Sequence, residues 1–159
     1  MLGQSLYTIL ASLSKMADLA GVRLVVFRVG DLTCAAEAAT VREVLAALPA
    51  TRIPGASSIV TGLINVRGRL ATLVDGRRAL GLAPGSGDGP IILLDVGEKT
   101  AGLAVDAVVD LVSVAADDLV EREELPGVDP RLVRAVGRRA DTTFVLLDTD
   151  ALLTPILAA

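Results

Sequence analysis

The chain of 159 residues contains no histidine, no tryptophan and a single cysteine, Cys34. Without histidine it cannot form a histidine-dependent catalytic triad or a histidine metal site, and one thiol cannot form an intrachain disulfide. Its three aromatic residues, Tyr7, Phe27 and Phe144, are too few to line an aromatic peptide groove. The net charge of −4 does not favour nucleic-acid binding. These absences disfavour an enzyme and predict a protein without cofactor, metal ion or nucleic-acid partner.

Aliphatic residues must form the core, because 52% of the chain is hydrophobic but only 2% is aromatic. This hydrophobic content argues against disorder. Within the predicted strand Leu32–Glu37, the Cys34 side chain shares a face with Leu32 and Ala36. We therefore expect Cys34 to be a small buried hydrophobic residue, with no thiol chemistry.

The first 21 residues have apolar side chains at helical spacing, which predicts an amphipathic helix ending near Gly21. The apolar positions are Leu2, Leu6, Ile9, Leu10, Leu13, Met16 and Ala17. Lys15 and Asp18 interrupt this short segment, and no basic residue precedes it, so neither membrane insertion nor a signal peptide is indicated. We expect the helix to dock on its own domain or on a neighbour. An alternative is that residues before Met16 are an upstream extension.

An internal duplication relates the two halves of the remaining chain. Leu24–Asp31 matches Ile91–Glu98 at an offset of 67 residues, and Val41–Leu45 matches Val108–Val112 at the same offset. Leu73-Val74-Asp75 then matches Leu146-Leu147-Asp148 at an offset of 73. The pattern predicts two copies of one unit, with an insertion in the second copy between Ala115 and Glu124.

Each copy consists mainly of short apolar runs that predict β-strands, and Gly30 and Gly97 predict tight turns. Two small barrels or strongly coiled sheets follow, the first at about residues 22–88 and the second at about residues 89–155. The linker between them is the Gly- and Pro-rich segment 83–90, and a short helix begins at about Thr149.

The two halves carry opposite charge. Residues 22–88 have eight Arg and five acidic residues, a net charge of +3, whereas residues 89–159 have a net charge of −7. A first unit can therefore face the second unit of another molecule, in a head-to-tail contact that closes into rings or continues as a filament.

Glu43 and Arg67 are candidate surface residues, since each alternates with apolar neighbours in a β-rich stretch. If the strands adjoin, the two side chains form a surface ion pair. Such a pair contributes only about 0–1 kcal/mol to stability, but it can fix the geometry of a binding face. Solvated surface charge without a function is the alternative.

Several short motifs, in this order and spacing, resemble the CheW-like coupling proteins of bacterial chemotaxis. The resemblance covers about residues 22–155. The motifs are Phe27-Arg28-Val29-Gly30, Val41-Arg42-Glu43-Val44-Leu45, Ile53-Pro54-Gly55, Gly62-Leu63-Ile64-Asn65-Val66-Arg67-Gly68, Leu73-Val74-Asp75, Leu80-Gly81-Leu82, Gly102-Leu103-Ala104-Val105-Asp106 and Phe144-Val145-Leu146-Leu147-Asp148. Thr72 and Gly76 depart from the family pattern, which commonly has Pro and Leu at these positions.

The resemblance implies an all-β fold of two SH3-like five-stranded β-barrels packed together. It implies a cytoplasmic, non-catalytic adaptor that couples the tips of methyl-accepting chemoreceptors to the regulatory domain of the histidine kinase CheA in membrane receptor arrays. The partner-binding residues it implies are Val41, Glu43, Val44, Gly62, Asn65, Arg67 and Gly68. The alternative function is a CheW-like scaffold module of a non-chemotaxis kinase pathway or of a self-assembling array.

Overall fold

The computed structural model describes residues 21–121, 127–139 and 141–158, so the predicted N-terminal helix lies outside the described residues except for Gly21. The described part is mostly β, as the sequence predicts. The strands are β1 (Val22–Val29), β2 (Leu32–Glu37), β3 (Val41–Leu45), β4 (Val60–Val66), β5 (Arg69–Asp75), β6 (Ile91–Val96), β7 (Lys99–Ala104), β8 (Ala107–Val114), β9 (Leu119–Glu121), β10 (Val133–Arg139) and β11 (Thr142–Leu147). The helices are α1 (Gly76–Ala79) and α2 (Thr149–Ala158), and short 3₁₀ turns span Ala38–Thr40, Ala116–Asp118 and Pro130–Leu132.

Local sequence signals place the turns and the helix ends. Gly30 and Gly97, which begin the turns of the β1–β2 and β6–β7 hairpins, have positive φ angles of 59° and 60°. Asp75 and Asp148 follow equivalent strands, and each carboxylate accepts a backbone N–H bond of 3.0 Å from the first turn of the next helix. The predicted short helix from Thr149 is confirmed.

The strands form two sheets, and each sheet takes strands from both halves of the chain. One sheet has the order β8-β1-β2-β11-β10-β9, and the other has the order β3-β6-β7-β5-β4. We call them sheet A and sheet B. The predicted division into a unit of residues 22–88 and a unit of residues 89–155 is therefore wrong. β1 and β2 belong to the first half of the chain, but they pair with β8 and β11 of the second half. The 83–90 segment connects α1 to β6, but it does not separate the sheets.

The duplication itself is confirmed in the register of the strands. In sheet A, Cys34 of β2 lies opposite Val145 of the parallel strand β11. In sheet B, Ala101 of β7 lies opposite Thr72 of the parallel strand β5. The two pairs are related by the offsets of 67 and 73 residues read from the sequence. Each copy thus contributes its first hairpin to one sheet and its remaining strands to the other.

The core has a central part shared by both sheets and a smaller part within each sheet. The two smaller parts of the core are filled at equivalent positions by different side chains. In sheet B, Ile64 pairs with the small Ala71. At the equivalent place in sheet A, Phe144 pairs with Gly137, where a Cβ atom would lie 2.3 Å from the Phe144 ring. This exchange of volume across a strand pair keeps the core filled while the two copies diverge in sequence.

Candidate protein-binding surface

The β4–β5 hairpin holds the Arg67 side chain at its tip. Val66 pairs with Arg69, and the two residues between them, Arg67 and Gly68, have φ angles of 51° and 85°. Two consecutive positive φ angles are typical of a type I′ turn, in which Gly at the second position is strain-free. The Asn65 side-chain oxygen accepts a hydrogen bond of 2.7 Å from the Gly68 N–H. Asn65 and Gly68 therefore fix the turn that presents Arg67.

Arg67 forms an ion pair with Glu43, although β3 and β4 lie at opposite edges of sheet B. One guanidinium nitrogen lies 3.3 Å from Glu43 Oε2, and the other contacts Oε1, so the pair is bidentate. The hydrogen bond from Arg67 lowers the pKa of Glu43, and the pKa of Arg67 is raised in turn. The predicted ion pair is present, and it brings together two edges that are not hydrogen-bonded neighbours.

Gly62 is buried in β4 and positions the chain that follows β3. A Cβ atom at Gly62 would lie 2.3 Å from the carbonyl oxygen of Thr51. Thr51 and Leu63 exchange two backbone hydrogen bonds of 2.8 Å at this point. Gly62 thus allows the Thr51 backbone to approach β4 closely, and its role in the site is to support this backbone arrangement.

β3 divides its side chains between the core and solvent. Val41 is half-buried and packs against the central core, so it supports the strand. Val44 is 44% exposed and is available to a partner. Arg42 is exposed and its Nε lies 3.0 Å from Asp95 Oδ1, which holds the β3 edge to β6.

The exposed residues around the ion pair form one continuous surface, to which we give the name Arg67 surface. It consists of Arg42, Glu43, Arg67, Arg69 and Leu70, which line a groove of about 520 Å³. Leu70 is 68% exposed at the end of the groove. Three arginines and the exposed Leu70 side chain along one groove provide the mixture of apolar contact and charge that a protein partner requires.

Arg69 and Leu70 belong to this surface but were not among the site residues predicted from the sequence. A signal for Leu70 exists in the duplication, since its counterpart at the offset of 73 is Thr143. Thr143 is exposed in sheet A, as Leu70 is in sheet B, so this position faces solvent in both copies. The exposed Leu70 in the other copy lines the groove and is available to a partner.

A second polar cluster joins the two sheets at Asp106. Its carboxylate accepts hydrogen bonds from Arg77 Nε at 3.0 and 3.1 Å and from the backbone N–H of Gly30. Burial alone would raise the pKa of Asp106, but the bonds from Arg77 and Gly30 outweigh it and lower that pKa. Arg77 and Asp106 are both about one-third exposed, so this cluster links α1, the β1–β2 turn and the end of β7.

Two absences concern the described part of the chain. No group of three or more cysteine or acidic side chains there could hold a metal ion. No helix in the same residues has the length and apolar character needed to cross a membrane.

Two sheets built from an internal repeat, with an exposed surface of arginine and aliphatic side chains, are typical of a protein-binding module. The CheW-like domain family model matches residues 23–156, and the chain belongs to this family. It is 34% identical over 117 residues to a probable chemotaxis protein CheW of Rhizobium etli, covering 72% of this chain and 74% of that protein. It is 38% identical over 101 residues to the chemotaxis protein CheW of Rhizobium meliloti, covering 62% of this chain and 65% of that protein.

A solved structure supports the fold. The crystal structure of the scaffolding protein TtCheW from Thermoanaerobacter tengcongensis matches with a TM-score of 0.78 at 23% identity, covering 84% of this chain and 92% of that chain. The chain is thus a CheW-like chemotaxis coupling protein with an adaptor function.

Proposed function

We propose that this protein is a non-catalytic adaptor that binds the regulatory domain of the histidine kinase CheA and the cytoplasmic tips of methyl-accepting chemoreceptors. The observation that carries the proposal is the Arg67 surface, on which a fixed ion pair shares a groove with the exposed Leu70. The chemotaxis names of the relatives support the choice of partners. Its cytoplasmic location at receptor arrays follows from those partners and is part of the proposal.

The sheets of this adaptor are proposed to be SH3-like barrels. In sheet B the two edge strands are brought together by the Arg67–Glu43 pair and by the Thr51–Leu63 backbone bonds. Those contacts support a curled sheet whose ends meet. Barrel geometry explains how residues from opposite edges reach one binding face.

The aliphatic side chains and the charges have separate parts in binding. Val44 and Leu70 lose exposed apolar area when a partner covers them, which supplies affinity. The ion pair holds Arg67 and Glu43 in one arrangement before the partner arrives, so less conformational entropy is lost on binding. Association of the chain with itself into rings is a further part of this proposal and uses the same head-to-tail logic of unlike charges.

A charge-reversal cycle tests the Arg67 surface. Arg67→Glu or Glu43→Arg alone places like charges together and is expected to weaken binding to a CheA regulatory domain or a receptor signalling domain by about tenfold or more. The double variant restores the pair and is expected to recover part of that loss. Binding is measured by titration calorimetry, and thermal unfolding serves as the folding control.

A matched control uses Arg131, which forms an exposed ion pair with Asp129 outside this surface. Arg131→Glu changes the net charge by the same amount and is expected to leave binding unchanged. Equal losses in the Arg131 and Arg67 variants, or unchanged binding in both, would reject the Arg67 surface as the partner site.

A further inference from the structure

We infer that Arg69 binds a carboxylate of the protein partner, so that the Arg67 surface recognises an acidic segment that also carries an aliphatic side chain. This role rests on the proposed function, because it concerns the same surface. Two of the three arginines in the groove already have partners, since Arg42 pairs with Asp95 and Arg67 pairs with Glu43. Among the described residues, no carboxylate lies within ion-pair distance of Arg69, so one positive charge of the groove is left for a partner.

Arg69 lies where a buried row of β5 side chains reaches the groove. Arg69, Ala71 and Leu73 alternate along the strand and share one face. Ala71 and Leu73 are only 8% and 5% exposed in the core of sheet B, whereas Arg69 is exposed. Val66 and Leu93, which pack in the same core, also line the groove. A carboxylate bound there is partly removed from water, so its attraction to a guanidinium is stronger than at an open surface.

The chemistry of the groove favours an acidic protein segment over a small anion. A guanidinium presents parallel N–H donors that match the two oxygens of a carboxylate. Leu70, which is 68% exposed, lines the same groove and gains only from an occupant with apolar groups of its own. A segment with Asp or Glu near an aliphatic residue meets both requirements, and the volume of about 520 Å³ admits its side chains.

The second copy of the repeat shows that the fold does not require these two residues. At the offset of 73, the equivalents of Arg69 and Leu70 are Thr142 and Thr143, which are exposed at the start of β11. The registers of the two hairpins are equivalent, since Arg69 lies opposite Val66 and Thr142 lies opposite Arg139. We therefore expect substitutions at Arg69 to change binding without changing stability.

Two substitutions of Arg69 test the inference in the full chain. Titration calorimetry measures binding to an isolated CheA regulatory domain and, separately, to an isolated receptor signalling domain. Arg69→Gln removes the charge and is expected to weaken binding to at least one domain by about fivefold or more. Arg69→Lys keeps the charge without the planar fork and is expected to cost about two- to threefold. The domain that shows the loss is the source of the carboxylate.

Arg52→Gln is the matched control. Arg52 is exposed and does not line the groove, and it has no ion pair within the described part of the chain. Both substitutions remove one positive charge from residues 38–105, so they weaken long-range attraction alike. Arg52→Gln is expected to change binding less than about twofold. Equal losses in the two variants, or a lower thermal unfolding temperature in Arg69→Gln alone, would overturn the inference.

Charge exchange identifies the carboxylate itself. In the Arg69→Glu background, each surface Asp or Glu of the affected domain is changed to Arg in turn, and one exchange is expected to restore binding by about fivefold. Failure of every exchange would overturn the inference. Weaker binding by Arg67→Glu with unchanged binding by Arg69→Gln would also overturn it, while the proposed function would stand. Absence of binding by the unmodified chain to either domain would instead reject the proposed function.

Discussion

Gly62→Ala is expected to destabilise the protein because the new Cβ atom would lie 2.3 Å from the Thr51 carbonyl oxygen. Real Cβ contacts are never this short, so Thr51 must move and its two 2.8 Å hydrogen bonds with Leu63 are lost or stretched. At about 0.5–1.5 kcal/mol for each bond and about 1 kcal/mol for backbone strain, the expected cost is about 2–4 kcal/mol. Urea unfolding monitored by circular dichroism measures it.

The Gly68→Ala variant separates the cost of the Thr51 contact from the cost of backbone strain. The φ angles of Gly62 and Gly68 are both positive, at 155° and 85°, but a Cβ atom at Gly68 meets no atom within 4 Å. Its expected cost is therefore the strain alone, about 1–2 kcal/mol. If the two variants lose the same stability, the close approach of Thr51 is not what requires glycine at position 62, and the reasoning is refuted.

Three further predictions concern titration, the thiol and salt. The pKa of Asp106 is lowered, so its stabilising contribution is complete above the ordinary pKa of 3.8 and is lost as pH falls through the lowered value. The Asp106→Asn variant is therefore expected to be less stable than the unmodified protein at neutral pH and to lose less stability on acidification. Unfolding measured from about pH 6 to pH 2 checks this. Cys34 is expected to resist iodoacetamide at about pH 8 until urea unfolds the chain, and modification in the native state would contradict its burial. Raising ionic strength is expected to slow association with a CheA regulatory domain far more than it speeds dissociation, as measured by surface plasmon resonance, and a salt-independent association rate would remove the role of charge.

The local elements were predictable from sequence because their signals are local. β2 has the predicted bounds Leu32–Glu37, because the turn that begins at Gly30 directly precedes it. The exchange of hairpins between the halves was not predictable. Cys34 pairs with Val145, more than a hundred residues away, and both would be equally well buried in an unexchanged sheet. The alternation of hydrophobic residues determines which face of a strand is buried, but it does not determine which strand lies beside it.

The candidate site shows the same division. Glu43 and Arg67 could be paired from their outward phase and unlike charge, and the pair is present. The sequence did not distinguish the residues that support this pair from the residues that are exposed to a partner. Gly62 and Val41 share the motifs of the exposed residues, yet one holds a close backbone crossing and the other packs on the core. Only a three-dimensional arrangement distinguishes a residue that a partner touches from one that holds it in place.

The exchange of strands changes what the charge asymmetry of the sequence means. Residues 38–105, which contain the strands of sheet B, have a net charge of +2, and residues 22–37 with 106–159, which contain those of sheet A, have a net charge of −6. The asymmetry therefore survives the corrected assignment and becomes a property of the sheets. Because charged partners are oriented before contact, an acidic partner surface is directed to sheet B, where the Arg67 surface lies. Sheet A, whose residues carry the net charge of −6, is directed away from that partner by the same field.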